Sequence, residues 1–126
     1  MPNYSVNLSL LFKEKDYLDR FKAAADAGFT AVELQFPYDH DATAIKAAAD
    51  AAGVEIILIN VPVGDLMQGG KGLAAQPELV DEFNAALAQC VEYAKILKPR
   101  MVNVLAGREE DKDRLQDAHR TYVSNL

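Results

Sequence analysis

The sequence predicts an α/β fold in which four strands alternate with four helices along one parallel sheet. Segments in which apolar residues recur every second position are followed, in strict order, by segments in which they recur every three or four positions. Glycine or proline separates most of these segments. Because parallel strands need long crossovers, this alternation favours a parallel sheet with right-handed connections.

The first strand is predicted over residues 4–10, where polar and apolar side chains alternate. A helix is predicted from Asp16, and Gly28 is placed to end it as the left-handed residue after the last turn. Residues 31–35 alternate again and form the second strand.

The second helix is predicted to begin after Asp41, whose carboxylate suits a cap, and to end at Gly53. Its last turns, residues 46–53, closely resemble residues 22–28 at the end of the first helix. We interpret this similarity as a weak internal repeat of an αβ unit.

The remaining elements follow the same order. The pattern predicts a third strand at 55–59, a helix at about 78–97 with Pro77 in its first turn, a fourth strand at 101–105 and a last helical segment at 111–126.

A long irregular segment, residues 60–77, lies between the third strand and the third helix and contains four glycines and Lys71. Connections in α/β units are usually only a few residues long, and longer ones are often lids or ligand-binding loops. This segment also leaves the carboxyl end of a strand, where parallel α/β folds bind their ligands. It is therefore the predicted ligand-binding loop, with a plain surface excursion as the alternative.

The two faces of the strands separate two kinds of parallel sheet. Only the third strand is apolar on both faces, whereas the others carry polar side chains on one face, including Asn7, Glu33 and Asn103. Helices on one face and a polar interior on the other are typical of a barrel wall, so we predict a parallel (β/α)4 unit, the first half of a TIM (β/α)8 barrel. The alternatives are a flavodoxin-like sheet and polar groups that merely bond to one another or to water.

Composition limits the classes of partner. The chain has 126 residues, half of them hydrophobic, and residues 1–126 are predicted to form one domain. A net charge of −6 favours neither nucleic acid nor a membrane surface. The one cysteine, Cys90, falls in a helical pattern and is predicted to be a buried hydrophobe. A cytoplasmic location is expected.

Other site motifs fail on spacing. The glycines around Lys71 do not match the phosphate-loop pattern, and no dinucleotide fingerprint follows the first strand. His40, between Asp39 and Asp41, is expected at a helix start and not at a metal site, and His119 is expected to be solvated.

Several segments, in register over the whole chain, closely resemble the hydroxypyruvate isomerase family, including its 2-oxo-tetronate isomerase relatives, within the xylose-isomerase-like TIM barrels. The matching segments are residues 7–12, 27–33, 36–39, 60–65 and 69–74, with Asn103 and residues 106–107 also fitting.

The resemblance implies isomerisation of a small hydroxy-keto acid. A divalent metal, Mg²⁺ or Mn²⁺, would coordinate the substrate oxygens, and two glutamates would transfer a proton through an enediol. The family's metal ligands and glutamates lie in strands five to eight, and a full barrel takes about 250 residues. Neither a metal site nor a catalytic residue is therefore expected in this chain, where Glu33 is the only acidic residue predicted on the inward face. The predicted substrate-binding residues are Asn7, Glu33, Asn60, Lys71 and Asn103.

Two departures from the family pattern affect this prediction. Lys71 stands where the family commonly has an arginine, and it offers a point charge instead of a fork. Ile59 stands where a histidine is common.

Two functions remain open at this stage. One is an isomerase of small hydroxy-keto acids, and the other is a non-catalytic binding or assembly half-barrel. In either case the first and fourth strands have open edges, which predict self-association or pairing with a second half-barrel.

Overall fold

The four predicted strands form one parallel sheet in the order β1-β2-β3-β4. The computed structural model describes residues 3–126. The strands are β1 Ser5–Asn7, β2 Ala31–Leu34, β3 Glu55–Asn60 and β4 Met101–Asn103. A strand order that follows the chain has no point of reversal, so the flavodoxin-like alternative is wrong.

Four helices alternate with the strands, as the sequence predicts. They are α1 Asp19–Asp26, α2 Ala42–Ala52, α3 Val80–Leu97 and α4 Leu115–Asn125. Single 3-10 turns lie at Pro37–Asp39, Leu66–Gln68, Pro77–Leu79 and Lys112–Arg114. Pro77 therefore occupies the first turn that leads into α3, where its missing N–H leaves no bond unmade.

The predicted helix boundaries are confirmed where capping residues set them. The Asp41 carboxylate accepts a hydrogen bond of 2.9 Å from the Ala44 N–H and caps α2. Gly28 and Gly53 follow α1 and α2 with φ of 91° and 69°, the left-handed conformation that ends a helix with little strain in glycine.

Other boundaries differ by a few residues. β1 ends at Asn7 because the N–H groups of Leu10 and Leu11 both turn back to the Asn7 carbonyl, at 3.2 and 3.0 Å. α1 begins at Asp19 because its N–H bonds the Asp16 carbonyl across a preceding turn. β4 likewise ends two residues earlier than predicted.

The buried face of the sheet is apolar across β1, β2 and β3. Val6, Val32 and Ile56 are paired in register, and each is at most 4% exposed. Phe21 of α1 and Ile45 of α2 are also fully buried. Burial of one such side chain contributes about 1.5–3 kcal/mol, so this layer is the main source of stability.

A register shift explains why β3 is apolar at every position from Ile56 to Ile59. Val32 pairs with Ile56, but the next residue, Glu33, pairs with Leu58, so Ile57 has no partner on β2. This bulge puts both Ile56 and Ile59 on the buried face, where they are 4% and 0% exposed.

Contacts within the chain define two compact units. One unit runs up to Asn60 and includes Val91–Asn103, and it contains the sheet. The other consists of Val61–Cys90 and Val104–Leu126, and it contains the glycine-rich loop.

Cys90 is 1% exposed, which confirms the prediction that it is buried. Across residues 3–126, none of the helices is both long and apolar enough to span a membrane.

Candidate functional site

Four of the five predicted site residues lie along the sheet as a polar row, which we define as Asn7, Glu33, Asn60 and Asn103. Asn7 pairs in register with Glu33, and Asn60 pairs in register with Asn103. Alternation puts all four on the face opposite the buried apolar layer. The parallel sheet therefore brings together, toward its carboxyl edge, side chains that are far apart in sequence.

Near β1 and β2 the row is joined to serine residues. The Ser5 hydroxyl donates to Glu33 Oε1 at 2.5 Å, and the Ser9 N–H donates to Asn7 Oδ1 at 2.9 Å. Ser9 Oγ accepts from the Gln35 N–H at 2.9 Å. Both serines thus form hydrogen bonds within the chain, in line with the alternative in which the polar groups bond to one another. The second carboxylate oxygen of Glu33 is not part of this contact.

At the other end of the row the two asparagines bond directly. Asn103 Nδ2 donates to Asn60 Oδ1 at 3.1 Å. Asn60 is only 5% exposed, and its main-chain carbonyl accepts from the Tyr38 hydroxyl. The Tyr93 ring packs edge-on against Tyr38, with ring centroids 4.9 Å apart. Asn103 is exposed, and within residues 3–126 its amide nitrogen donates one side-chain hydrogen bond, to Asn60, so the rest of the amide is open to a ligand.

His40 has a packing role. Its ring stacks on that of Tyr17 with centroids 4.0 Å apart, and Asp41 next to it caps α2. Burial raises the pKa of Tyr17 to about 12, against a smaller lowering by Arg20. Arg20 Nη1 also donates to the Leu8 carbonyl at 2.9 Å, which ties this cluster to the end of β1.

Glu33 is not the only acidic residue on the polar face. Glu55 pairs in register with Ala31 and lies on the same face at the amino end of β3. Its two oxygens accept from Arg100 at 2.7 and 2.6 Å, which raises the pKa of Arg100. Parallel folds bind ligands at the opposite edge of the sheet. We therefore interpret the ion pair of Glu55 with Arg100 as a structural contact and not as part of a binding site.

Lys71, the fifth predicted residue, lies in the second unit and forms an ion pair. Its Nζ is 2.9 and 3.1 Å from the two carboxylate oxygens of Glu109. The side chain of Lys71 is 45% exposed and that of Glu109 is 3% exposed. The Lys71 bond and the Asp111 N–H hold the pKa of Glu109 below its ordinary value of 4.5. The ammonium retains one N–H for a ligand.

Glycine is required where the loop backbone folds closely. The N–H groups of Gly70 and Gly72 donate to the Asp65 carbonyl and carboxylate at 2.9 and 3.1 Å. A Cβ on Gly70 would lie 1.9 Å from the Asp65 carboxyl carbon. The loop is thus held by its own hydrogen bonds, and a ligand-binding role for it stays a prediction.

Three residues near Lys71 were not predicted from the sequence. Glu109 binds Lys71, Arg108 N–H donates to the Lys71 carbonyl at 3.0 Å, and Gln76 Nε2 lies 3.4 Å from the Arg108 carbonyl. Gln76 is 1% exposed, and its Oε1 has no hydrogen-bond partner among residues 3–126. The charged run at 108–114 resembles an ordinary solvated turn, so no sequence signal marks these contacts.

The described residues do not by themselves fit a divalent metal. Within residues 3–126 no group of three or more His, Cys, Asp or Glu side chains is arranged to hold one. The inward-facing groups are mainly amides, and Glu33 already accepts from Ser5. Mg²⁺ and Mn²⁺ prefer several oxygen ligands that include carboxylates, so no metal-dependent step is assigned to these residues.

Four consecutive parallel βα units, with polar side chains toward the carboxyl edge of the sheet, define one part of a β/α barrel. The model of the xylose isomerase-like TIM barrel family matches residues 21–126, and the chain belongs to this family.

Curated relatives carry isomerase names. The chain is 40% identical over 127 residues to a 2-oxo-tetronate isomerase of Cupriavidus necator, with 100% of this chain and 48% of the relative covered. It is 38% identical to the hydroxypyruvate isomerase of Escherichia coli, with 100% of this chain and 49% of the relative covered. The chain therefore spans about half the length of these relatives, which agrees with the predicted half-barrel.

Solved structures agree on the fold. A crystal structure named as an AP endonuclease, family 2, from Brucella melitensis matches with a TM-score of 0.91 and 36% identity, over 99% of this chain and 48% of that one. A xylose isomerase domain protein from Alicyclobacillus acidocaldarius matches with a TM-score of 0.65 at 14% identity, which shows the shared fold alone. The prediction of a partial TIM barrel is confirmed.

Proposed function

We propose that this chain is part of an isomerase of small hydroxy-keto acids, which converts hydroxypyruvate to tartronate semialdehyde or acts on 2-oxo-tetronate. The observation that carries the proposal is the polar row at the carboxyl edge of the parallel sheet. The names of relatives that match the full length of the chain support it.

The polar row suits a ligand with adjacent carbonyl and hydroxyl oxygens. An asparagine amide both donates and accepts hydrogen bonds, so Asn7, Asn60 and Asn103 are proposed to bind these oxygens and orient the substrate. The Glu33 oxygen that Ser5 does not bind is proposed to accept from a substrate hydroxyl.

Lys71 is proposed to contact the carboxylate of the acid. Its free N–H group provides one charge-assisted hydrogen bond, and its exposed side chain is open to solvent. Because Glu109 balances the charge, this contact contributes orientation more than attraction.

The divalent metal and the two catalytic glutamates implied by the family are proposed to belong to the complete barrel. When bound, such a metal supplies Lewis-acid polarisation of substrate oxygens. The residues described above bind and orient the substrate, and no proton transfer is assigned to them.

An enzymatic assay tests the proposal. The purified chain is incubated with hydroxypyruvate and Mg²⁺ or Mn²⁺, alone and after addition of a separately produced carboxyl-terminal half of the Escherichia coli relative. We expect turnover only in the mixture, and we expect Asn103→Ala to reduce it. Asn84→Ala, an exposed asparagine on α3, is the matched control. Turnover that is equally high in Asn103→Ala would contradict the assigned role of the row.

A second candidate function is a non-catalytic half-barrel that binds or assembles through its edges. All three residues of β4 are exposed, and Met101 and Val102 are 54% and 42% exposed. An open strand edge with apolar side chains favours pairing with another strand, so the proposed partner is a second half-barrel, a copy of this chain included. Analytical ultracentrifugation over a concentration series measures such association.

The small acid remains the proposed ligand in either case, and nucleic acid and membranes are not proposed partners because of the net charge of −6. The cytoplasm is the proposed location. The presence of one cysteine, which allows no disulfide within the chain, supports it.

A further inference from the structure

The charge of Lys71 is balanced within the second unit. Its ammonium bonds both oxygens of Glu109, and Arg114 bonds both oxygens of Glu78 at 2.9 and 2.8 Å. Arg114 Nε also lies 3.8 Å from Glu109 Oε2. Two cations thus meet two carboxylates, and this ion-pair cluster attracts a further anion only weakly.

Arg108 is a cation whose charge is not balanced in this way. No carboxylate within residues 3–126 lies within 4.0 Å of its guanidinium, although Glu109 is its neighbour in sequence. The side chain of that neighbour bonds Lys71 instead. Arg108 is also exposed, so its guanidinium is accessible to a ligand.

The main chain of Arg108 is held firmly in place. Its N–H donates to the Lys71 carbonyl at 3.0 Å, and its carbonyl accepts from the buried Gln76 amide at 3.4 Å. The preceding residue, Gly107, approaches the Lys71 carbonyl so closely that a Cβ would lie 2.2 Å from that oxygen. These contacts fix the position from which the Arg108 side chain extends.

Arg108 also lines an open cavity of about 520 Å³, large enough for a small organic molecule. The cavity is lined by Leu66, Met67, Leu105, Ala106, Gly107 and Arg108. Apolar walls with one cation match a ligand that has a short carbon chain and a carboxylate.

We propose that Arg108 binds the carboxylate of a small organic acid in this cavity and contributes more to anion affinity than Lys71 does. The guanidinium forms two parallel hydrogen bonds with a carboxylate, whereas the lysine ammonium offers the one N–H that Glu109 leaves. The identity of the ligand as a keto acid rests on the proposed function. The binding site itself rests on the cavity and on the unbalanced charge.

The test uses pyruvate as the probe, because it has the keto acid group but lacks the hydroxyl that the proposed isomerisation needs. Amide chemical shifts of the whole chain are followed by NMR during titration, with dihydroxyacetone as a neutral comparison. We expect shifts at Met67 and Gly107, and an increase in the Kd for pyruvate of about tenfold or more in Arg108→Gln, because this variant loses the charge-assisted hydrogen bonds of the guanidinium. The Kd of Arg108→Lys should lie between that of the unaltered chain and that of Arg108→Gln.

Two further variants control for charge. Arg120→Gln removes an exposed arginine of α4, whose nearest carboxylate contact is Asp117 at 3.6 Å, and should leave the Kd unchanged. The double variant Lys71→Gln with Glu109→Gln removes the ion pair without changing the net charge, and should weaken pyruvate binding less than Arg108→Gln does.

The proposal is overturned if pyruvate does not bind, if Arg108→Gln binds it as the unaltered chain does, or if the double variant loses more affinity. The mixed-half assay with hydroxypyruvate separates this result from the proposed function. Arg108-dependent pyruvate binding without turnover supports the site and counts against the isomerase. Turnover with the same KM in Arg108→Gln supports the isomerase and rejects the site.

Discussion

Gly107 has both a left-handed backbone and no room for a side chain. Its φ is +87°, and an added Cβ would lie 2.2 Å from the Lys71 carbonyl oxygen, which is a backbone atom and cannot rotate away. We therefore expect Gly107→Ala to lower the free energy of unfolding by about 2 kcal/mol or more, as measured by urea denaturation.

Gly69→Ala is the matched control for Gly107→Ala. Gly69 also has a positive φ, of +95°, but no atom lies within 4 Å of its added Cβ. Gly69→Ala should therefore lower the free energy of unfolding by about 1 kcal/mol, which comes from backbone strain alone. Equal losses in the two variants would show that the close approach to Lys71 does not contribute.

Glu109 makes the stability of the chain depend on pH. Its pKa is lowered in the folded state by the bond from Lys71, so the unfolded chain takes up the proton more readily. The stabilisation by this carboxylate is complete above its ordinary pKa of 4.5 and is lost as the pH falls through the lower folded value.

We expect the difference in unfolding free energy between the unaltered chain and Glu109→Gln to shrink as the pH is lowered from 6 to 3, in urea titrations. Glu110→Gln, which changes an exposed neighbour, should show a smaller dependence. A difference that stays constant with pH would mean that the ion pair does not stabilise the folded chain.

At the scale of elements, α1 and α2 show how similar sequences form similar ends. Lys22–Asp26 and Lys46–Asp50 are equivalent ion pairs four residues apart, and each helix is followed by a glycine with positive φ. Such exposed pairs contribute only about 0.3–0.5 kcal/mol each. The two helices differ at their starts, because Asp41 caps α2 and the residue before α1, Leu18, offers no cap.

Removal of the Asp41 cap should destabilise α2. Asp41 accepts from the Ala44 N–H and from the Thr43 hydroxyl, and these bonds lower its pKa. We expect Asp41→Ala to reduce the free energy of unfolding by about 1 kcal/mol at neutral pH, measured by thermal or urea denaturation. Asp39→Ala, an exposed neighbour, should change it by less than about half of this amount. Equal effects would argue against the cap.

At the scale of the whole molecule, β4 is an edge strand of the sheet, and all three of its residues are exposed. We expect the sedimentation coefficient to rise with protein concentration and Val102→Lys to reduce this rise, because a charge on an edge strand opposes pairing. Val91→Lys, on α3, is the matched control, since Val91 is 43% exposed and Val102 is 42% exposed. A sedimentation coefficient independent of concentration would reject association through this edge.

The polar row shows how far local pattern predicts a site. Period-two alternation assigns Asn7, Glu33 and Asn103 to one face of their strands, and strand pairing then brings them to the same side of one sheet. The partner of Lys71 was not predictable in this way, because Glu109 lies 38 residues further along the chain.

The sequence by itself determined the order of the strands and helices, the cap at Asp41, the helix ends at Gly28 and Gly53, and the polar face of the sheet. Each of these depends on residues within a few positions of one another. Only the tertiary structure decided the bulge at Ile57 and the pairing of Lys71 with Glu109. The physical reason is that strand register and ion pairing depend on how distant segments approach one another. The spacing of residues within one segment does not contain this information.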